Sequence, residues 1–327
     1  MPQEIIFGYD TALQICRSSC IPWKGSRIAH ARYAPVQAPS AADLADAVKR
    51  LGNLYPDIAI TLPLHYLISK VSRQHTTHIA HPHTCTISIP GTSLCYVADG
   101  ILVATPPLAF IQECMRRDFI DRLRLGWEIC GSYQSGLCGL PKKYEISPLV
   151  SSDELRSYAS RNSGIKGSRK SLQSLQYVAD ESASPRETQL GLTLGLPTRY
   201  GGGGLGRARM NFEVVTTPAA RVICGKSTLR LDLSWPGRKY DIEYQSEENH
   251  GDGMRVSDSR RENALKSMGY SVLSITRDEF NSFATTMAFT ETLRKRFGKR
   301  NPTKFDDYHA RKVKLRCQLG LPIGFEE

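Results

Sequence analysis

One segment of the chain, residues 229–246, constrains the fold most, because apolar and polar side chains alternate on both sides of a turn. Leu229, Leu231 and Leu233 fall on one face of a strand, and the polar residues between them fall on the other. The sequence Trp-Pro-Gly-Arg at 235–238 then interrupts the alternation with turn-forming residues. The segment therefore predicts a β-hairpin that has one apolar face and one polar face.

The polar face of this hairpin carries acidic residues. Pairing of the two strands can bring Asp232 and Glu243 together on that face. Carboxylates within a hairpin that is otherwise apolar and aromatic are costly unless they are paired, bound to a ligand or exposed. Carboxylate oxygens hold Mg²⁺ together with several waters, and they leave room for a phosphate oxygen. The alternation alone also fits a hairpin whose polar face is simply in contact with water.

The sequence around the hairpin predicts a small α/β domain at residues 184–300. Ser184-Pro185-Arg186-Glu187 has the pattern of a helix start, with proline at the first helical position. The elements predicted after that helix are strands at 212–215, 220–224, 228–234 and 240–246, a helix at 256–268, a strand at 271–275 and a helix at 278–297. After this domain, residues 301–327 are predicted to form a basic C-terminal extension.

The N-terminal part predicts a separate α+β domain at residues 1–150, followed by a linker with a short helix at 151–183. The predicted helices and strands of the first domain are a helix at 41–51, strands at 58–62, 64–68, 85–89, 94–97 and 101–104, and a helix from Pro107 to about Tyr133. Proline and glycine separate most of these runs, which is typical of strand ends.

The composition excludes several classes of protein. Apolar residues make up 40% and charged residues 23%, which excludes a disordered or fibrous chain. The longest apolar stretch, 100–111, contains two prolines and is shorter than the roughly 20 residues of a membrane-spanning helix. The nine cysteines are scattered, without a Cys-x-x-Cys pair, and the start of the chain has no signal-peptide pattern. We therefore expect reduced thiols, a cytoplasmic protein and no membrane partner.

The positive charge is concentrated near one end of the sequence. The net charge is +11, and residues 291–316 contain ten Lys or Arg against three Asp or Glu. A second basic run lies at 161–170. Such an excess favours a polyanionic partner, most simply nucleic acid, although a solvated basic helix has the same composition.

The order of acidic residues resembles the signature of the PD-(D/E)XK nuclease superfamily. Glu187 on a helix is followed by Asp232 and then by Glu243-Tyr244-Gln245. The branch related to the very-short-patch-repair endonucleases has the closest pattern, over about residues 182–280. The landmarks that carry this resemblance are Ile242-Glu-Tyr-Gln245, His250, Asp258-Ser-Arg-Arg-Glu-Asn-Ala-Leu265 and Gly269-Tyr-Ser-Val-Leu-Ser-Ile-Thr276.

The resemblance implies a restriction-endonuclease-like α/β domain, in the order helix, antiparallel strands, helix, strand. It implies that Asp232 and Glu243 bind Mg²⁺ or Mn²⁺ and that Glu187 reaches a metal-bound water. His250 is then a proton-transfer partner. Residues expected to contact nucleic acid are Arg260, Arg261, Arg294, Lys295, Arg296, Lys299 and Arg300.

Gln245 departs from the superfamily pattern, which has Lys at this position, or Asp in this branch. A glutamine can bind a metal or orient a water, but it cannot act as a base. We therefore keep Gln245 in the catalytic set. The leading hypothesis is a Mg²⁺-dependent endonuclease acting on DNA. The alternative is a catalytically impaired nuclease fold that acts as a DNA-binding or antitoxin-like regulatory protein.

The N-terminal half gives two weaker signals. Leu64-His65 and residues 100–110 resemble the linker region of abortive-infection antitoxin-like proteins, which implies a protein partner. A cluster of metal-ligand residue types also occurs in this half, and a strand would place His81, His83 and Cys85 on one face. This arrangement allows a zinc site, although the spacing matches no standard zinc finger and also fits a solvated polar strand. The members of the cluster are His75, His78, His81, His83, Cys85 and Cys95.

Overall fold

The chain divides into two compact units, Met1–Gln176 and Tyr177–Glu327. Each unit contains both helices and strands, so the predicted α/β class is confirmed. The computed structural model describes residues 3–21, 23–70, 76–245, 252–300 and 307–324, and for 252–256 it describes the backbone alone. Within these ranges no helix is both long enough and apolar enough to cross a membrane.

The first unit is built on a five-stranded mixed sheet. Its strands are β1 (Ile5–Phe7), β2 (Leu64–Ile68), β3 (Ala80–Thr84), β4 (Leu94–Ala98) and β5 (Ile101–Ala104). The order across the sheet is β3-β2-β1-β5-β4, with β1 parallel to β5 and antiparallel to β2. The three central strands are buried along their whole length. A separate short pair follows, β6 (Tyr133–Gln134) and β7 (Lys143–Tyr144).

The described part of the first unit has six helices, of which the first and third pack on the sheet. They are α1 (Tyr9–Cys16), α2 (Ala41–Leu54), α3 (Pro106–Arg116), α4 (Phe119–Ile129), α5 (Ser152–Arg161) and α6 (Ser168–Leu175). The single helix predicted from Pro107 to Tyr133 is two helices. The break occurs because Asp118 caps α4, accepting a hydrogen bond from the backbone N–H of Asp121 at 2.9 Å.

The predicted linker at 151–183 is largely part of the first unit. Helix α5 begins with a capping box between Ser151 and Glu154, and α5 and α6 pack against α3. Helix α6 also contacts α4. The boundary at Gln176 therefore corrects the expected end of the first domain at residue 150, because these helices bury apolar side chains such as Leu155 and Leu175.

The second unit is built on a four-stranded sheet in the order β11-β10-β9-β8. Its strands are β8 (Arg209–Val215), β9 (Thr228–Trp235), β10 (Tyr240–Gln245) and β11 (Ser271–Thr276). Its helices are α7 (Pro185–Gly195), α8 (Pro218–Cys224), α9 (Asp252–Ser267), α10 (Arg277–Asn281), α11 (Phe283–Arg296) and α12 (Tyr308–Gln318). Strands β8, β9 and β10 are antiparallel, and β11 runs parallel to β10.

The predicted hairpin is present, and its apolar face forms part of the core. Leu229, Leu231 and Leu233 are buried, and the first two pack with Ala264 and Leu265 of α9. Strands β9 and β10 pair in antiparallel register, with Leu233 opposite Ile242. Burying these leucines stabilises the fold by about 1.5–3 kcal/mol for each side chain.

Four further predicted elements differ from the structure. In the first unit, the ranges 58–62 and 85–89 are predicted as strands but form none, and the strand next to β2 is β3 instead.

The other two differences are in the second unit. Residues 220–224 are not a strand but most of α8, because Thr217 caps the helix and Pro218 occupies its first turn. Gly225 then ends α8 with a φ of 69°, a left-handed conformation that favours glycine. The helix predicted at 278–297 is divided at Ser282, whose side chain caps α11.

The basic extension at 301–327 contains α12, which is held within the second unit by Arg316. The Arg316 guanidinium is buried and donates to the backbone carbonyls of Phe280, at 2.8 Å, and Asn281. A further hydrogen bond joins it to the Thr286 hydroxyl at 3.3 Å. Part of the charge that suggested a polyanion partner therefore stabilises the fold.

Candidate active site in the second unit

Asp232 and Glu243 lie on neighbouring strands and on the same face of the sheet. The register pairs Ile242 with Leu233 and Asp241 with Ser234, and its continuation places Glu243 opposite Asp232. The backbone N–H of Tyr244 also donates to Asp232 Oδ2 at 3.1 Å. The structure thus brings together the two carboxylates that the sequence singled out.

The Asp232 carboxyl is half-buried among other acids. Burial, and then the charges of Glu243 and Glu187, raise its pKa to about 7. Asp232 therefore exchanges its proton near neutral pH. A cation placed beside it would favour the charged form.

Glu187 faces the same acidic group from the first turn of α7, and both of its oxygens are held. Its Oε2 accepts hydrogen bonds from the backbone N–H of Ala183 at 3.0 Å and from the Asn211 amide at 2.8 Å. Its Oε1 accepts from the Ser184 hydroxyl at 3.1 Å. Burial raises the Glu187 pKa in spite of these bonds. This carboxylate is therefore fixed in position by its own helix cap and by β8.

Asn211 and Asp241 were not identified from the sequence. Asn211 has a φ of 46°, a conformation that asparagine tolerates better than most residues, and it joins Glu187 to the Glu181 carbonyl. Asp241 is completely buried, and neither carboxyl oxygen is within hydrogen-bonding geometry of a described residue. Burial and the adjacent Glu243 raise its pKa to about 10. Asp241 and Glu243 are two residues apart in one strand, so their side chains lie on the same face. This spacing was the signal that could have identified Asp241.

Arg261 of α9 is bonded to the acidic pair. Its Nη2 lies 2.6 Å from Glu243 Oε1, and it also donates to the Arg230 carbonyl. Arg260, the neighbouring residue, is exposed. Of the two arginines predicted to contact phosphate from α9, one therefore neutralises a proposed metal ligand, while the other is open to solvent.

The burial of Arg294 contradicts the prediction that this residue contacts nucleic acid. Its side chain is buried, at 5% exposure, and donates to the carbonyls of Gly203 and Arg300. A guanidinium committed to two backbone carbonyls is not available to a phosphate. The remaining predicted contact residues of this segment are exposed: Lys295, Arg296, Lys299 and Arg300.

Gln245 is exposed at the last position of β10, where it pairs in register with Thr276 of β11. His250 lies outside the residues that the structure describes, so its predicted role stays a prediction.

The pair offers a metal two carboxylates rather than a complete protein ligand set. Among the described residues, no three His, Cys, Asp or Glu side chains come together as a metal site. Mg²⁺ usually binds through one or two carboxylates and keeps several waters. Asp232 and Glu243 supply two carboxylates on one face of the sheet, and burial and then neighbouring negative charge disfavour the ionised form of Asp232.

The predicted zinc cluster of the first unit is organised by contacts between rings. His65 Nδ1 and His83 Nε2 are 2.8 Å apart, and the His83 ring stacks on Tyr9 at 3.6 Å. Burial lowers the pKa of His65 to about 4 and that of His83 to about 3. His75 lies outside the described residues, and the described members of the cluster form no metal site. The zinc prediction is therefore not supported.

Comparison with known proteins adds no relative to this description. The chain matches no family model, no curated protein and no solved structure. A functional conclusion therefore depends on the geometry of Asp232, Glu243 and Glu187 and on the charges around them.

Proposed function

We propose that the second unit is a metal-dependent nuclease domain that hydrolyses DNA phosphodiester bonds. The observation that supports this most directly is the position of Asp232, where burial and then the charges of Glu243 and Glu187 raise its pKa to about 7. The charges of Glu243 and Glu187 disfavour the ionised form of Asp232, and a divalent cation would relieve that repulsion.

The order of elements in the second unit supports a restriction-endonuclease-like arrangement. Helix α7 precedes the antiparallel strands β8, β9 and β10, and helix α9 then leads to the parallel strand β11. This is the helix, antiparallel strands, helix, strand order that the motif resemblance implies. In this proposal Asp232 of β9 and Glu243 of β10 are the metal ligands.

Each acidic residue has a distinct role in the proposed reaction. Asp232 and Glu243 would hold Mg²⁺ or Mn²⁺, which would supply an activated water and stabilise charge on the leaving oxygen. Asp232 has to release its proton before it can serve as a ligand, so we expect the affinity for the metal to increase as pH rises through about 7. Glu187, whose pKa is also raised, is held by Asn211 where it can accept a proton beside the pair.

The DNA contacts of this proposal come from exposed cations. Lys295, Arg296, Lys299 and Arg300 follow one another at the end of α11 and beyond it, and all are exposed. Arg260 adds a further exposed cation on α9. Such side chains bind phosphates irrespective of base sequence, and they set the position of the duplex.

Two observations favour a second candidate, a catalytically impaired nuclease fold that binds DNA or acts as an antitoxin-like regulator. The first is the neutral Gln245 at the end of β10. The second is the 2.6 Å ion pair between Arg261 and Glu243, which places a protein cation at the acidic group. Both reduce the charge available to a metal.

The deciding experiment measures cleavage and binding in the same samples. Supercoiled plasmid and single-stranded DNA are incubated with the full chain and Mg²⁺ or Mn²⁺, and binding is measured separately by fluorescence anisotropy. The nuclease proposal expects cleavage by the wild type, loss of cleavage in Asp232→Asn and Glu243→Gln, and unchanged binding. Asp258→Asn, an exposed acid on α9, is the matched control. Binding without wild-type cleavage supports the second candidate, and cleavage that persists in both variants contradicts the proposed site.

A further inference from the structure

The first unit contains a cavity of about 240 Å³ that is separate from the acidic site. Its walls come from β2, the residues after β3, α3 and the loop between α5 and α6. Its floor is apolar and buried, and it is formed by Leu67, Ile89 and Leu108. An engineered apolar cavity of about 150 Å³ binds benzene, so a volume of about 240 Å³ holds one ring and a short chain.

The walls of the cavity are fixed by close packing of the backbone. Gly167 ends the α5–α6 loop with a φ of 103°, and a Cβ at this position would collide with the Ile111 carbonyl of α3. On the opposite side, the backbone N–H of Tyr9 donates to Gln112 Oε1 at 2.9 Å. A Cβ on Gly8 would also meet that Gln112 oxygen, at 2.9 Å. The cavity is therefore preformed rather than dependent on a ligand for its shape.

The rim of the cavity leaves large apolar side chains in water. Ile87 is 44% exposed and Met115 is 41% exposed, and both line the cavity. Covering such side chains is favourable, since apolar area is removed from water. The rim therefore favours an apolar body over water as the occupant.

The polar groups of the cavity select a negatively charged end. Of the lining residues, all within the described part of the chain, Lys166 alone is charged. The side-chain oxygen of Gln112 accepts a hydrogen bond from the Tyr9 N–H, and the side-chain NH₂ of Gln112 can donate to a ligand. A tyrosine phenol keeps its proton at neutral pH, and burial raises the Tyr9 pKa further, to about 12, so this hydroxyl is also a donor.

We propose that the cavity of the first unit binds a small carboxylic acid whose apolar body is about one ring with a short chain. The body lies on Leu67 and Leu108, under Ile87 and Met115, and the carboxylate lies at the Lys166 side of the rim. This binding is independent of any nuclease activity of the second unit.

Calorimetric titration of the full chain with two matched probes tests this proposal. The probes are 3-phenylpropionate and its neutral counterpart 3-phenylpropanol. We expect the carboxylate to bind and the alcohol to bind more weakly, with a preference that decreases as salt is added. Equal affinity for the two probes overturns the assignment of the charged end, and absence of binding by both overturns the site.

Two variants locate the bound probe. Met115→Trp places a larger side chain at the rim, where the exposure of Met115 lets the fold tolerate it, and we expect loss of binding. Lys166→Gln should weaken binding of the carboxylate about two- to fivefold, as for one exposed ion pair, and leave the alcohol unchanged. Met115→Leu and Lys170→Gln are the matched controls. Binding that is unchanged in both Met115→Trp and Lys166→Gln contradicts the proposal.

Discussion

Arg261 Nη2 lies 2.6 Å from Glu243 Oε1, at the acidic pair where a divalent cation is proposed to bind. Both side chains are mostly buried, with exposures of 23% and 16%, so solvent screens this ion pair only in part. The guanidinium also donates to the Arg230 carbonyl, which ties α9 to β9. Arg261 therefore has two effects that can be separated: it stabilises the fold, and it competes with a metal for Glu243.

Arg261→Gln should weaken the fold and strengthen metal binding. The variant leaves Glu243 without its cation beside Asp232, and we expect the free energy of unfolding to fall by about 1–3 kcal/mol. The same loss of positive charge should lower the dissociation constant for Mn²⁺. Urea unfolding and calorimetric titration with Mn²⁺ measure the two effects.

The control is Arg260→Gln, which removes an equal charge from an exposed position on the same helix. We expect almost no change in stability or in metal affinity for this variant. Equal Mn²⁺ affinity in Arg261→Gln and the wild type would show that Arg261 and the metal do not compete.

The raised pKa of Asp232 predicts a loss of stability as pH rises. In the folded chain this carboxyl keeps its proton up to about pH 7, whereas in the unfolded chain an aspartate loses it near pH 4. Between these values the folded state holds one proton more. The free energy of unfolding therefore decreases with pH, by at most about 1.4 kcal/mol per pH unit from this group.

Asp232→Asn removes the titrating carboxyl group. The free energy of unfolding of this variant should therefore lack the decrease with pH that comes from Asp232. Urea unfolding at pH 4 to 8 should show the wild type losing stability relative to Asp232→Asn across the window, with a constant difference above it. Asp258→Asn, on the exposed face of α9, should follow the wild type at every pH. A difference between wild type and Asp232→Asn that does not depend on pH would mean that Asp232 is ionised throughout.

The hairpin could be predicted from the sequence because its pattern is local. Alternation alone placed Leu229, Leu231 and Leu233 on the buried face, and it placed Asp232 and Glu243 on the other. Local pattern failed at 220–224, where Val and Ile favoured a strand but the Thr217 cap and Pro218 determined a helix.

Contacts between distant residues could not be predicted. Arg294 and Arg316 were counted as surface charge, yet both are buried on backbone carbonyls of other segments. Composition does not show which arginines meet a free carbonyl, because that depends on how helices pack. The hydrogen bond from Asn211 to Glu187 also joins residues that are distant in sequence, 24 positions apart. The sequence predicted a role for Glu187, but it did not show that Asn211 holds this carboxylate in place.

Substitutions of Arg294 and of its exposed neighbours Lys295 and Arg296 should have different effects, the first on the stability of the fold and the second on DNA affinity. Arg294→Gln loses hydrogen bonds to Gly203 and Arg300, and we expect a loss of about 1–3 kcal/mol in the free energy of unfolding. The double variant Lys295→Gln/Arg296→Gln changes two exposed cations and should keep the stability of the wild type.

The same double variant should bind DNA more weakly and with less dependence on salt. Each phosphate contact contributes about 0.9 to the slope of log affinity against log salt, so the loss of two contacts reduces that slope by about 2. Anisotropy titrations at several salt concentrations measure the slope. An unchanged slope would show that this segment does not contact phosphate, and the DNA interface would then have to be sought elsewhere.

Gln245 decides whether the proposed site is a working nuclease. The residue is exposed at the end of β10, so substitutions there should leave the fold intact. In an active enzyme the neutral amide takes no proton, and water activation has to come from the metal together with Glu187 or His250. Gln245→Asp should then keep or increase Mg²⁺-dependent cleavage, because it adds a negative charge near the metal ligands. Gln245→Ala should lower the rate only modestly.

A protein that has lost catalysis gives a different pattern in the same assay. The wild type then binds DNA in a gel shift without cutting it in Mg²⁺ or Mn²⁺, and Gln245→Asp restores weak cleavage because Asp232 and Glu243 are still in place. Asp258→Asn, again the exposed control, should change neither cleavage nor binding. A wild type that neither cuts nor binds any nucleic acid contradicts both nucleic-acid functions. The protein-partner alternative would then account better for the exposed cations at 295–300, since an acidic protein surface attracts them by the same charge complementarity.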